Sequence, residues 1–120
     1  MHQPTDRFHR AAYHSRVTLA KKKVTAGRQQ VVKVRQLRPG STAKIRYRGT
    51  LLATVTVNSK GTVKVVKRGR AGGSKVTISR GKQAVNLRFK VGKKRGKAAV
   101  VLTASGSPRV AQKFTVTKKR

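Results

Sequence analysis

A chain of 120 residues, 36% apolar but only 4% aromatic, has the size and composition of one domain with a thin aliphatic core. Its 32 Lys and Arg against a single acid, Asp6, give a formal net charge of +31, so side-chain ion pairs within the chain are almost impossible and the counter-charge must come from outside. The same count excludes paired-carboxylate catalysis and carboxylate-rich calcium or magnesium sites, and the absence of cysteine excludes disulfides, zinc fingers and thiol chemistry.

Residues 1–15, MHQPTDRFHRAAYHS, stand apart: they hold every histidine and the only acid, and they lack alternation. Thr5 is placed to cap a short helix through Tyr13, with Phe8 and Ala12 on one face. Two readings fit, a flexible tail and an arm that orders on a partner through Arg7, Phe8, Arg10 and Tyr13.

From residue 16 the apolar period becomes two, the mark of half-buried strands. Strands are expected over 16–20 and 30–37, then after the turn Arg38-Pro39-Gly40-Ser41 over 43–48, with Ala43, Ile45 and Tyr47 inward and Lys44, Arg46 and Arg48 outward. Further strands are expected over 51–57 and, past the hairpin turn Asn58-Ser59-Lys60-Gly61, over 62–67. The glycine-rich stretch 68–74 reads as a mobile loop. Strands over 75–79 and 84–91 follow, the latter with Val85, Leu87, Phe89 and Val91 inward and Asn86, Arg88 and Lys90 outward. The loop Gly92-Lys93-Lys94-Arg95-Gly96-Lys97 leads to strands over 98–104 and 110–117, and Lys118, Lys119 and Arg120 form a basic tail. Seven to nine short strands separated by turns predict an all-β, two-layer antiparallel sandwich over 16–117. Val34, Ile45, Val55, Leu87, Phe89 and Leu102 are its predicted core, with Tyr47 and Phe114 also inside.

Residues 39–65, PGSTAKIRYRGTLLATVTVNSKGTVKV, resemble the middle of bacterial and phage immunoglobulin-like domains. There a Pro-Gly-Ser-Thr turn opens a strand, a Gly-Thr…Ala-Thr-Val-Thr-Val strand follows, and an Asn-x-x-Gly-Thr hairpin leads on. Residues 75–79 and 98–104 resemble the closing strands. The resemblance spans about residues 16–117 and implies an immunoglobulin-like fold. This chain departs from the family in having no acid after Asp6, which removes any calcium site the family would imply.

Chemistry is sparse. A Ser-His-Asp arrangement would have to draw on the first residues, and His2, His9 and His14 with Asp6 lack metal-ligand spacing. Residues 69–75, GRAGGSK, only faintly resemble a phosphate loop: Lys and Ser stand in the wrong order, between two strands. Neither catalysis nor a cofactor is expected. The candidate binding residues are basic: Lys33 and Arg35, Lys44, Arg46 and Arg48, Arg88 and Lys90 on strands, with Arg68, Arg70, Lys93, Lys94 and Arg95 in loops. The strand set is expected to form cationic ladders on a sheet face, where like charges placed opposite each other repel. No stacking aromatics are left for single strands, so any nucleic acid is expected to bind through backbone and shape.

Two functions follow. One is a capsid decoration or minor head protein of a phage, which the immunoglobulin-like resemblance implies, docked on an acidic lattice or touching anionic cell-wall polymer. The other is a structural protein packed against DNA or ribosomal RNA; deliberate supercharging of an immunoglobulin-like domain is a third origin for the charge. No stretch approaches the roughly 20 apolar residues of a membrane span. The first 30 residues lack the apolar run of a secretory signal, so the expectation is cytoplasmic synthesis followed by incorporation into a particle, without membrane insertion.

Overall fold

The computed structural model describes residues 15–118. Alternation of Val, Leu and Ile with polar residues sets the chain into twelve strands. They are β1 (Arg16–Leu19), β2 (Lys23–Thr25), β3 (Gln29–Arg35), β4 (Thr42–Tyr47), β5 (Thr50–Val57), β6 (Val63–Arg68), β7 (Arg70–Ala71), β8 (Ser74–Lys75), β9 (Thr77–Gly81), β10 (Ala84–Lys90), β11 (Gly96–Ala104) and β12 (Ser107–Thr117). Each strand predicted from the sequence has its counterpart here. The three additional ones, β2, β7 and β8, are two or three residues long, too short for alternation to register.

Two sheets form the layers, one in the order β1-β3-β10-β9 and the other in the order β2-β12-β11-β4-β5-β6. Lettered in chain order, with the β7–β8 ribbon left out, these are strands ABED against A′GFCC′C″. That is the strand order of an immunoglobulin sandwich of the variable type. All pairings within the layers are antiparallel except β2 with β12, which run parallel. That exception arises because the first strand leaves one sheet after Leu19 and joins the other at Lys23.

The switch strands backbone groups at Lys21, and Gln30 satisfies them. Its fully buried amide donates from Nε2 to Lys21 O at 2.7 Å, while Oε1 accepts from the N–H groups of Lys21 at 3.2 Å and Val31 at 3.0 Å. A buried glutamine amide left without partners would be costly, so the kink and Gln30 specify each other.

The predicted core residues Val34, Ile45, Val55, Leu87, Phe89 and Leu102 are all buried between the layers. The disulfide and tryptophan usual in antibody domains cannot form in a chain without Cys or Trp. An aromatic cluster bridges the layers. Tyr47 of β4 lies 4.8 Å from Phe89 of β10 and 5.7 Å from Phe114 of β12, ring centre to ring centre. The Tyr47 hydroxyl donates to Val91 O at 2.9 Å, so a polar tip is satisfied inside an apolar core.

The stretch expected to be a mobile loop is an ordered ribbon, β7 paired with β8 around Gly72-Gly73. Gly69 secures it: its N–H donates to Leu52 O at 2.7 Å, and a Cβ at this position would run into the Leu51 carbonyl oxygen. Gly69 and Gly72 therefore serve close approach to Leu51 and Lys90, while Gly73 supplies the positive φ of the turn.

Candidate functional site

Alternation decides where each cation can go. In β3 and β10, Lys33, Arg35, Arg88 and Lys90 occupy the positions out of phase with the buried Val32, Val34, Leu87 and Phe89, so they lie on the outer face of the four-stranded layer. Lys44 and Arg46 lie on the outer face of the six-stranded layer, out of phase with Ala43, Ile45 and Tyr47. The strand set expected on a sheet face is thus divided between opposite sides of the sandwich.

The expected like-charge ladders do not form, because register staggers them. Lys33 faces Thr18 and Asn86, Arg88 faces Val31 and Thr77, and Lys90 faces Gln29. On the other side Lys44 faces Thr103 and Thr54, Arg46 faces Val101 and Leu51, and Lys64 and Lys67 face Thr56 and Thr54. Within the described strands only Arg16 with Arg35 and Arg70 with Lys75 set two cations opposite each other. Arg35 offsets its repulsion by donating from Nη1 to Asn86 Oδ1 at 2.8 Å and to Val34 O at 3.0 Å. Avoiding direct opposition at every other position removes a penalty of a few tenths of a kcal/mol per pair.

Arg48 is not a strand residue. It has φ +48° and Gly49 φ +80°, so the two form the turn of a tight hairpin between β4 and β5. From there its guanidinium donates to Lys94 O at 2.9 Å and, at longer range, to Gly96 O at 3.4 Å and Lys97 O at 3.5 Å. It also lies 5.5 Å from the Tyr47 ring centre. Its donors are engaged by the β10–β11 loop and the start of β11, and the loop exposes Lys93, Lys94 and Arg95. Arg48 is therefore a positioning residue for that loop. Arg68 and Arg70, expected in a loop, are strand residues instead: Arg68 ends β6 and Arg70 opens the ribbon in β7, both exposed, with Arg70 donating to Gly73 O at 3.3 Å. Arg7, Phe8, Arg10 and Tyr13 lie outside the described residues.

Part of the charge has a structural use. The edge strands of the two layers are β1, β9, β2 and β6, and they carry Arg16, Arg80, Lys23, and Lys64 with Lys67. In β6 a bulge at Val66 further disrupts the free edge. Lysine, arginine and bulges at edges discourage strand addition from other chains. The outer face of β3 and β10 is central in its sheet, so edge protection does not account for Lys33, Arg35, Arg88 and Lys90.

The two faces differ in what surrounds the cations. On the six-stranded layer Arg46 sits between the partly exposed apolar side chains Leu51 and Val101, with Ala99 and Ala111 beyond them, while Lys44 sits between Thr54 and Thr103. On the four-stranded layer the neighbours are mostly hydrogen-bonding neutral residues, Thr18, Gln29, Thr77, Ser79 and Asn86. Among the described residues no group of three or more His, Cys, Asp or Glu comes together as a metal site. None of the described helices or strands is a helix long and apolar enough to cross a membrane. An open groove between β1 and β12, about 470 Å³, has Val17, Leu19 and Phe114 in its floor and Lys22, Lys97 and Lys113 around it.

No family model matches the chain, and no curated protein matches it in sequence. Solved structures similar to the chain include the Lin-41 filamin domain, at 15% identity over 87% of this chain and 92% of that one, with a TM-score of 0.39. The Dpr1 IG1 domain, solved bound to DIP-eta IG1, is 13% identical over 87% of this chain and 96% of that chain, with a TM-score of 0.43. The alkylpurine DNA glycosylase AlkC of Pseudomonas fluorescens, solved with DNA containing an abasic site analog, is 13% identical over 88% of this chain, which spans only 30% of the enzyme, at a TM-score of 0.41. The strand order described above, not these distant likenesses, carries the immunoglobulin-like assignment.

Tyr47 also makes the fold sensitive to alkali. Burial pushes its hydroxyl above the ordinary value of 10.0, with Arg48 pulling partly the other way. A raised folded-state value means that the tyrosine's contribution is whole below about pH 10 and is lost as pH rises from there through the folded value. Chemical denaturation at pH 9 and pH 11 should show this loss in the parent protein and not in Tyr47→Phe. The variant starts about 1 kcal/mol less stable for want of the bond to Val91. An equal alkaline loss in both proteins would clear Tyr47 of it.

Proposed function

We propose that this chain is a non-enzymatic binding module that docks electrostatically on the acidic surface of a larger assembly, and that the assembly is a phage capsid lattice which it decorates or cements. The observation that carries this reading is the outer face of the six-stranded layer, where Leu51 and Val101 flank Arg46, with Ala99 one row beyond. An apolar centre with arginine in it is the composition of a protein–protein contact rather than of a solvated face. Carboxylates of the lattice would supply the counter-charge that the chain lacks, its only acidic side chain being Asp6. A sandwich with a six-stranded outer face suits a cementing role. Incorporation into a particle after cytoplasmic synthesis belongs to the same proposal, with anionic cell-wall polymer as a further contact. The N-terminal segment, with Arg7, Phe8, Arg10 and Tyr13, would add a second anchor.

The test is rebinding. Genome-free shells purified from the particle and stripped of this protein by high salt are mixed with the parent protein or Arg46→Glu, and co-sedimentation is measured. Placing a like charge against an acidic surface costs several kcal/mol, so Arg46→Glu should lose at least about 100-fold in affinity. Equal rebinding by the two proteins removes this face from the contact.

A further inference from the structure

We infer that the outer face of the four-stranded layer is a track for the phosphodiester backbone of duplex nucleic acid. This goes beyond the lattice contact: the face is the opposite one, and so is the class of partner. Its basis is the register of three strands. Lys90 pairs with Gln29, Arg88 with Val31, Asn86 with Lys33, and Arg16 with Arg35. Successive outward positions along a strand are about 6.7 Å apart and neighbouring strands about 4.8 Å. Lys90, Arg88, Lys33, Arg35 and Arg16 therefore fall on one diagonal that steps from β10 to β3 to β1. The diagonal spans about 20 Å between its first and last rows.

Three properties make this line of charge a track rather than a scatter. It is continuous, with a cation at every outward row, and it moves to the next strand where Asn86 takes the β10 position. Its flanks are Thr18, Gln29, Thr77 and Ser79, which can donate hydrogen bonds to phosphate oxygens. Its strands are held: Arg35 is fixed by Asn86 and the Val34 carbonyl, leaving the rest of its planar fork available for phosphate. Charge complementarity selects a line of anions over a dispersed acidic surface. The described aromatics Tyr47, Phe89 and Phe114 are all buried, so no base can stack on this face. Single strands depend on such stacking, whereas a duplex offers its backbone with the bases already stacked.

The experiment uses the full chain and a mixed-sequence 20-base-pair DNA, with affinity followed by fluorescence anisotropy across a salt series. Five neutralised phosphates give a slope of log affinity on log salt of about −4.5, at about −0.9 each. The triple variant Lys33→Gln, Arg88→Gln, Lys90→Gln should flatten that slope by about 2.7. The triple variant Lys64→Gln, Lys67→Gln, Lys113→Gln removes the same charge from the other layer and should leave the slope as it is. Equal flattening by the two triples means that net charge acts from everywhere, and overturns the track. So does a single strand of the same length binding as tightly as the duplex. Rebinding of the first triple to stripped shells separates the two readings. Lost duplex binding with intact rebinding supports the track, and an unchanged duplex slope overturns it whatever the shells show.

Discussion

Replacing Phe89 by Ala is expected to cost about 3–5 kcal/mol, the range for a buried aromatic cut back to a methyl group. Phe89 is 2% exposed and touches both layers: it belongs to β10 and packs against Tyr47 of β4. The cavity left behind cannot collapse easily, because its walls are strands fixed by ladders on either side. A domain of this size has about 5–15 kcal/mol to lose, and this one also bears the mutual repulsion of 32 cations. The variant should therefore unfold well below the parent in urea, and its aromatic circular dichroism should weaken because Tyr47 loses the nearer of its two ring neighbours. Phe89→Leu keeps most of the volume and should recover more than half of the loss. A loss below 1 kcal/mol for Phe89→Ala would mean that the aromatic cluster does not join the layers.

Much of this architecture was legible because period-two alternation reports a buried face directly. Ala43-Lys44-Ile45-Arg46-Tyr47 and Val85-Asn86-Leu87-Arg88-Phe89 point as their pattern says. What alternation cannot report is partner and register, and these are tertiary facts. They put Lys33 and Arg88 on one side of the molecule and Lys44 and Arg46 on the other, and they set nearly every cation against a neutral residue. The sheet switch after Leu19 was hidden because β2 has three residues and follows a run of lysines. Its one local signal was Gln30, a polar residue in phase with Val32 and Val34, which turns out to be buried. Arg48 misled because it continues the alternation of Lys44 and Arg46; only the following glycine marks it as the first turn residue. The glycine-rich stretch was read for its mobility, but Gly69 is there for the closeness of the Leu51 backbone.

Association with an acidic assembly should slow at least about 10-fold when salt is raised from 50 to 200 mM, while dissociation changes much less. The argument rests on range. A net charge of +31 on 120 residues projects a field well beyond the surface, and such fields raise encounter rates by about 10–10³ at low salt. The screening length falls from about 14 Å to about 7 Å over this salt step, so most of the steering is removed before contact. In the proposed docked state Arg46 would touch its partner at distances shorter than either screening length, and the flanking Leu51 and Val101 would hold by burial, which salt does not weaken. Surface plasmon resonance on immobilised stripped shells gives the two rates separately. Val101→Asp supplies the complementary case: it sets a carboxylate opposite Arg46, which competes with the partner for that arginine and removes an apolar contact, so it should speed dissociation while the field of the remaining charges still steers the approach. If salt instead accelerates dissociation as strongly as it slows association, the contact consists of charge alone and the apolar residues of this face take no part in it.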